Sequence, residues 1–233
     1  SPRRHARTLP LGGAAPLSSP PPATAAAARV AAATVALLGT SADPPTRGHR
    51  ALLEGLLGLF PRVATWASDN PLKHHGAPLA ARTALLRALV EAIGDPRLEV
   101  VPELSSPWTV ETLARARQRW PEAEPVFVVG SDLLAQIPRW RAADVWLPGC
   151  RLAVAPRQGW PVVAADLEDL ERRGARLELL PLEIPASASS ELRDRLAQAT
   201  AAPPTAVGPA AEDLPPELWP VLLQHNLYGH TCP

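Results

Sequence analysis

A chain of 233 residues, 46% apolar and 20% charged, is long enough for one domain with a sizeable core and has neither a disordered nor a fibrous composition. Its 23 basic and 23 acidic side chains cancel, which excludes a global field for nucleic acid or an anionic membrane and makes any anion site local. No apolar run reaches the roughly 18–20 residues that span a bilayer. The two cysteines, Cys150 and Cys232, make no disulfide framework, so a reducing, cytoplasmic setting fits.

Residues 1–33 are rich in Ala, Pro and Ser, with four arginines and no acid. Such a segment cannot bury enough apolar surface to offset its ordering entropy, and a disordered tail is expected. An acid-free, Arg-bearing start resembles a transit peptide, which leaves an organelle as the other compartment. Against that, the prolines at 20–22 break an amphipathic helix.

From Thr34 short apolar runs alternate with helical stretches. "TVALLG" (34–39) reads as a buried strand and "HRALLEGLLGLF" (49–60) as a helix. "RVATWA" (62–67) is a second strand, and "PLAARTALLRALVEAIG" (78–94) an amphipathic helix stopping at Gly94. "LEVV" (98–101) is a third strand. "TVETLARARQRW" (109–120) is a helix with Thr109 as its N-cap. "PVFVVG" (125–130), "RLAVA" (151–155) and "LELLPL" (177–182) are further strands, with the helical "ADLEDLERRG" (165–174) before the last. "SSELRDRLAQA" (189–199) is a helix with a serine cap. A Pro/Ala linker at 200–211 leads to a last helical segment over 215–228. This alternation predicts βαβ units and a doubly wound, mostly parallel sheet in one domain over 34–199, with a C-terminal helical segment packed on it. Ligands of such sheets sit beyond the carboxyl ends of the strands, where strand order reverses.

Two stretches suit phosphate. The first, "GTSADPPTRGH" (39–49), runs from the first strand to a helix start, where free N–H groups and a partial positive charge bind anions. Gly39 permits close backbone approach, and Thr46 and His49 add donors. Neither the Walker A pattern nor the G-x-G-x-x-G fingerprint is present, and alone this is equally an ordinary loop. The second, "SASSELR" (187–193), places Ser189 and Ser190 at a helix start with Arg193 one turn on, the pattern of a phosphate site or of an N-cap with a surface arginine. Of the 23 basic residues only Lys73 is a lysine, a compact and mobile point charge. The neighbouring His74 and His75 lack partners for a metal site and read as solvated loop residues. "HNLYGHTC" (225–232) reads as a frayed terminus.

Together these stretches resemble one family. "GTSADPPTRGH" is similar to the G-x-[FS]-x-P-x-[HT]-x-G-H signature of nucleotidyltransferases, and "SASSELR" to their I-S-S-[TS]-x-[IL]-R motif. "SDNPLKHH" (68–75), "PLAAR" (78–82), "SPWTVETL" (106–113), "VFVVGSDLLAQIPRW" (126–140) and "VAPRQG" (154–159) resemble, in order, segments of the bacterial nicotinate mononucleotide adenylyltransferases. The chain departs from the pattern with Thr46 in place of the first His, Ala188 in place of the first Ser and Trp108 in place of Tyr.

The resemblance implies joining nicotinate mononucleotide to the AMP part of ATP, with Mg²⁺ bound mainly through the ATP phosphates. Gly39, Thr40, Ser41, Thr46 and His49 would hold ATP at the first mouth, Ser190 and Arg193 at the second. Gly130 and Asp132 would line the adenosine side, with a helix cap as the other role for Asp132. Lys73 and Arg82 would meet the acceptor phosphate. Trp140 would stack on the nicotinate ring, unless it is core, while Trp108 and Thr109 border the ring carboxylate. The implied catalytic set is Thr46, His49, Lys73 and Arg193. The alternatives are another acceptor, nicotinamide mononucleotide or phosphopantetheine, and a nucleotide-binding regulator without turnover. An oligomer is left open.

Overall fold

The computed structural model describes residues 33–185, 189–199 and 212–231. The tail up to residue 32, Ala188, the linker at 200–211 and Cys232 lie outside them. Six strands, β1 (Thr34–Thr40), β2 (Val63–Ala67), β3 (Leu98–Val100), β4 (Glu124–Gly130), β5 (Arg151–Ala155) and β6 (Arg176–Leu179), form one sheet in the order β3-β2-β1-β4-β5-β6. Every neighbouring pair is parallel. Between them run α1 (Arg47–Leu57), α2 (Leu79–Ile93), α3 (Thr109–Arg119), the short α4 (Ala143–Trp146) and α5 (Ala164–Arg172), followed by α6 (Ser189–Gln198) and α7 (Trp219–Gln224). The sequence pattern missed only α4, which is too short to show a helical period.

Side chains alternate along β1 between two cores, as the two-residue period of a strand requires. Ala36 and Leu38 join one face with Leu53, Leu85 and Leu192. Val35 and Leu37 join the other with Trp66, Leu113 and Trp146. Both faces are covered, so β1 and β2 read as unbroken apolar runs. Strand order reverses between β1 and β4.

Two local expectations change. The N-cap of α3 is Trp108 in extended conformation, and Thr109 is the first helical residue. No side chain caps this helix; the Ser106 hydroxyl braces the approach to it, accepting from Trp108 N–H at 3.2 Å and donating to Glu111 Oε2 at 2.6 Å. The C-terminal segment is no frayed end. Its α-helix stops at Gln224, but Leu227, Tyr228 and His230 beyond it are buried. Leu214, Leu218, Leu222 and Leu227 complete the first core, and His230 Nε2 lies 2.8 Å from Leu196 O with its ring edge-on to Trp219.

Arg82, on α2, is 1% exposed. Its Nε donates to Ala77 O at 3.0 Å, and its Nη1 to Ser41 O at 2.9 Å and Ser68 O at 2.7 Å. It thus pins the loop after β1 to the loop after β2. Its Nη2 lies 3.7 Å from Asp69 Oδ1, and the three carbonyls are reached at once because the guanidinium is a planar fork of several N–H groups; the structure thus gives it a structural role beside the one expected at the acceptor. Arg82→Ala is expected to lower the unfolding free energy by about 2–4 kcal/mol, as the loss of buried charge-assisted bonds does. Urea unfolding checks this, with Arg82→Lys recovering less than half, because one ammonium cannot span three carbonyls. A loss under about 0.5 kcal/mol, the size of an ordinary surface change, would show that the carbonyls do not need it.

Candidate active site

A cavity of about 420 Å³ opens at the carboxyl ends of β1 and β4, in the size range of a small-molecule site. Its walls include Gly39, Thr40, Ser41, Thr46 and His49 from the β1–α1 connection, Gly130 and Asp132 after β4, and Ser190 and Arg193 from α6. Lys73 projects at its exposed rim. The two helix mouths, 140 residues apart in sequence, therefore face one space. They are also bonded to each other. Ser189 Oγ donates to Pro44 O at 2.9 Å, and Arg193 Nη1 donates to Asp43 O at 2.7 Å. Gly39 also makes a close approach to Trp66, its register partner on β2: a Cβ there would stand 2.9 Å from the indole ring.

Thr46 and His49 form a reciprocal cap on α1. Thr46 N–H donates to His49 Nδ1 at 2.9 Å, and the Thr46 hydroxyl accepts from His49 N–H at 3.3 Å. The same hydroxyl lies 2.9 Å from Nδ1. An Nδ1 that accepts from a backbone N–H carries no proton, so in the neutral ring the proton is on Nε2. Burial, with Arg157 nearby, lowers the His49 pKa to about 4. The ring is therefore a neutral Nε2–H donor at pH 7. Thr46, 3% exposed, caps the helix and orients this ring, where the sequence suggested a phosphate donor in its own right.

Three residues that the sequence left without roles complete the walls. Arg157, on the stretch after β5, pairs with Asp132 at 2.9 Å, and its Nε is buried with no acceptor among the described residues. Its backbone N–H donates to Ser131 Oγ, which itself donates to Trp160 O. Asp43, 1% exposed, accepts from Gly76 N–H at 2.7 Å and from the Tyr228 hydroxyl at 2.7 Å. His75 lines the cavity with only 13% of its side chain exposed, not solvated as expected, because the Gly76–Asp43 bond draws this turn inward. Its Nε2 is buried without a partner among the described residues, and burial and Arg82 outweigh Asp43 and lower its pKa. The stretch "VAPRQG" was the available signal for Arg157. Asp43 had none, being one acid among many in the pattern.

Trp108, Thr109 and Trp140 stand outside this cavity. Trp140 is half-buried against Trp146, at 6.3 Å between ring centroids, and packs on the second core. Trp108 is 37% exposed with the Arg141 guanidinium 4.3 Å above its ring. The chain leaving β3 and β4 carries these residues past the sheet edge toward the second face, while the cavity lies over the β1–β4 gap.

The cytidylyltransferase-like family model matches residues 37–195. A protein of Synechocystis sp. named a probable nicotinate-nucleotide adenylyltransferase is 40% identical over 156 residues, 63% of this chain and 78% of its own length. One of the same name from Rhodopirellula baltica is 30% identical over 179 residues, 70% of this chain and 82% of its length. In fold the chain is similar to the nicotinic acid mononucleotide adenylyltransferase of Plasmodium falciparum solved with NaAD, at a TM-score of 0.65 and 17% identity, covering 84% of this chain and 97% of that one. The helix-mouth pair on a β3-β2-β1-β4-β5-β6 sheet thus has the relatives its sequence implies: the chain belongs to the cytidylyltransferase-like family, alongside the nicotinate-nucleotide adenylyltransferases.

Proposed function

We propose that this chain transfers the adenylyl group of ATP to the 5′-phosphate of nicotinate mononucleotide, giving nicotinic acid adenine dinucleotide and pyrophosphate. The observation that carries this is the convergence of the α1 and α6 mouths on one cavity, tied by the Arg193–Asp43 carbonyl bond. An acceptor phosphate oxygen forms a bond to the α-phosphorus. The bond from that phosphorus to the bridging oxygen breaks, and pyrophosphate leaves with the electron pair. No protein nucleophile and no proton transfer are needed, so catalysis is positioning and charge stabilisation.

His49 Nε2–H and the α1 N-terminus hold the phosphate under attack, and Ser190 and Arg193 hold the β- and γ-phosphates. Lys73, exposed and mobile on the rim, follows the incoming phosphate. Gly130 and Asp132 border the adenosine, and Arg157 adds charge between Asp132 and His49. Trp108, Thr109 and Trp140 read the nicotinate ring from the neighbouring patch, where Arg141 supplies a cation for the ring carboxylate. A divalent cation, Mg²⁺ in this reading, would be held by the phosphates and reached by Asp132, since among the described residues no group of three His, Cys, Asp or Glu is placed to hold one. When bound, it neutralises charge on the triphosphate.

With ATP and Mg²⁺, pyrophosphate release is expected with nicotinate mononucleotide and at least tenfold less with nicotinamide mononucleotide or phosphopantetheine, an estimate from the binding worth of one ionic contact. Equal release with either rival moves the substrate, and ATP binding without release with any acceptor marks a regulator.

His49→Ala should lower turnover by about 10²–10³, the usual loss for one donor to a developing charge, with circular dichroism unchanged. In the wild type the His49 ring resonances should titrate near pH 4, well below an ordinary histidine. A midpoint near 6.5, the unperturbed value, would show that burial and Arg157 do not hold the ring neutral through the mildly acidic range.

A further inference from the structure

The last twenty described residues, 212–231, have no part in the reading above, yet they reach the cavity wall. Tyr228 is 9% exposed, and its hydroxyl donates to Asp43 Oδ1 at 2.7 Å. Asp43 Oδ2 accepts from Gly76 N–H at 2.7 Å and lies 3.3 Å from Arg193 Nη1. The same Nη1 donates to the Asp43 carbonyl at 2.7 Å. One buried aspartate therefore collects the α6 arginine, the 71–76 turn and the chain terminus.

The packing is as specific as the bonding. A Cβ at Gly76 would stand 2.6 Å from Arg193 Cδ and 3.1 Å from Tyr228 Cε1, so only glycine lets both close on this turn. The terminal turn is built to deliver the tyrosine: Asn226 and Tyr228 have φ of 52° and 54°, and Gly229 follows at 83°. The left-handed region is unfavourable for non-glycine residues, and the burial of Leu227 and His230 on either side of Tyr228 offsets this. Burial and the Asp43 carboxylate also push the Tyr228 pKa up, which keeps the hydroxyl a donor.

We propose that Tyr228 is a positioning residue of the triphosphate site: it fixes the Asp43 carboxylate that holds Arg193 at the cavity wall, which makes the C-terminal segment a working part of the active site. This rests on Arg193 as a phosphate ligand. Without the hydroxyl, Asp43 Oδ1 is left buried with no donor, and a buried acceptor in that state turns toward the nearest one. The donors around the carboxylate's other oxygen are Gly76 N–H at 2.7 Å, Arg193 Nη1 at 3.3 Å and His75 Nδ1 at 3.8 Å, and of these the Arg193 side chain is the one free to follow a turning carboxylate. Arg193, at 3.3 Å from the carboxylate in the native site, is then drawn closer to it and away from phosphate. Lys73 and His49 do not touch Asp43 and keep their places.

Tyr228→Phe keeps the ring and removes only the hydroxyl. The expected result is a rise of about tenfold in the KM for ATP, the scale of coupling through one intermediate residue. kcat and the KM for nicotinate mononucleotide stay within about twofold, the ordinary scatter of a distant substitution. The decisive measurement is the same substitution in an Arg193→Ala background. If Tyr228 acts through Arg193, it adds less than about twofold there; if it only supports the fold, the tenfold loss repeats in full and the proposal is overturned. An unchanged KM for ATP in the single variant overturns it as well. Gly76→Ala, whose Cβ presses on both the Arg193 stem and the Tyr228 ring, is expected to give the same selective loss and serves if Tyr228→Phe does not fold. Titration calorimetry with a non-hydrolysable ATP analogue is run in parallel on every variant. If the wild type releases no pyrophosphate with any acceptor, the functional reading falls, and the analogue affinities alone still decide the role of Tyr228.

Discussion

The reversal of strand order between β1 and β4 governs where everything else can stand. The chain leaves β1 toward one face of the sheet and leaves β4 toward the other, so no element fills the gap above their carboxyl ends. That gap is the cavity, and its floor is Gly39 and Gly130. The first mouth comes for free, because α1 follows β1 directly. The second must be carried back. After β6 the chain runs beside the extension of β5, with Leu180 N–H on Val154 O, Ile184 N–H on Pro156 O and Gln158 N–H on Ile184 O. This ladder, closed by the Arg157–Ile184 bridge, brings α6 across to α1. It also explains why Arg157 and Arg193 occupy one wall although they lie on different βα connections.

The electrostatics of the cavity differ from a simple cluster of cations. Its lining holds Lys73, Arg157 and Arg193 against Asp43 and Asp132. Both arginines are anchored on carboxylates, Arg157 on Asp132 and Arg193 on Asp43. Anchoring subtracts some attraction for an anion, but it fixes each guanidinium before the ligand arrives, and fixed donors need no reorganisation when charge develops. The same logic runs through His49. A charged imidazolium beside Arg157 would repel it, whereas a neutral ring, held by Thr46 with its proton on Nε2, offers direction without that penalty. Lys73 is the exception on its exposed loop, which suits a charge that must follow a moving phosphate.

Most of the fold was legible because its signals are local. The central strands β1, β2, β4 and β5 are short apolar runs with both faces buried, and the long helices showed a period or a cap. The site was legible at its two mouths for the same reason: a hydroxyl or imidazole at a helix start is a pattern within one turn. Failures occurred where the deciding partner is distant or displaced by a neighbour. Arg82 looked like a free cation because its acceptors are backbone carbonyls, which leave no trace in side-chain identity. For Thr46 the sequence showed one role and hid the other, because the Thr46–His49 cap and a phosphate site use the same residues. Thr109, read as a cap, lies one residue inside the helix, whose N-cap is Trp108. The acceptor-side tryptophans show a different limit: Trp140 packs on the second core and Trp108 is partly exposed, and an aromatic residue reads alike in the sequence in either place.

Asp43 shows why distance matters most. Its partners lie 33, 150 and 185 residues away along the chain, at Gly76, Arg193 and Tyr228. A carboxylate buried to 1% is stable only when its acceptors are filled, so these contacts depend on one another. Removing any of the three segments leaves the other two bound to an under-satisfied acid. The wall of the cavity is therefore complete only when the terminal segment has docked, and docking is cooperative with the closure of the 71–76 turn on Arg193. The leucines at 214, 218, 222 and 227 supply the apolar surface that fixes the segment on the first core. Hydrophobic burial at the back of the domain is in this way converted, through one hydroxyl and one carboxylate, into the placement of a cation at the front.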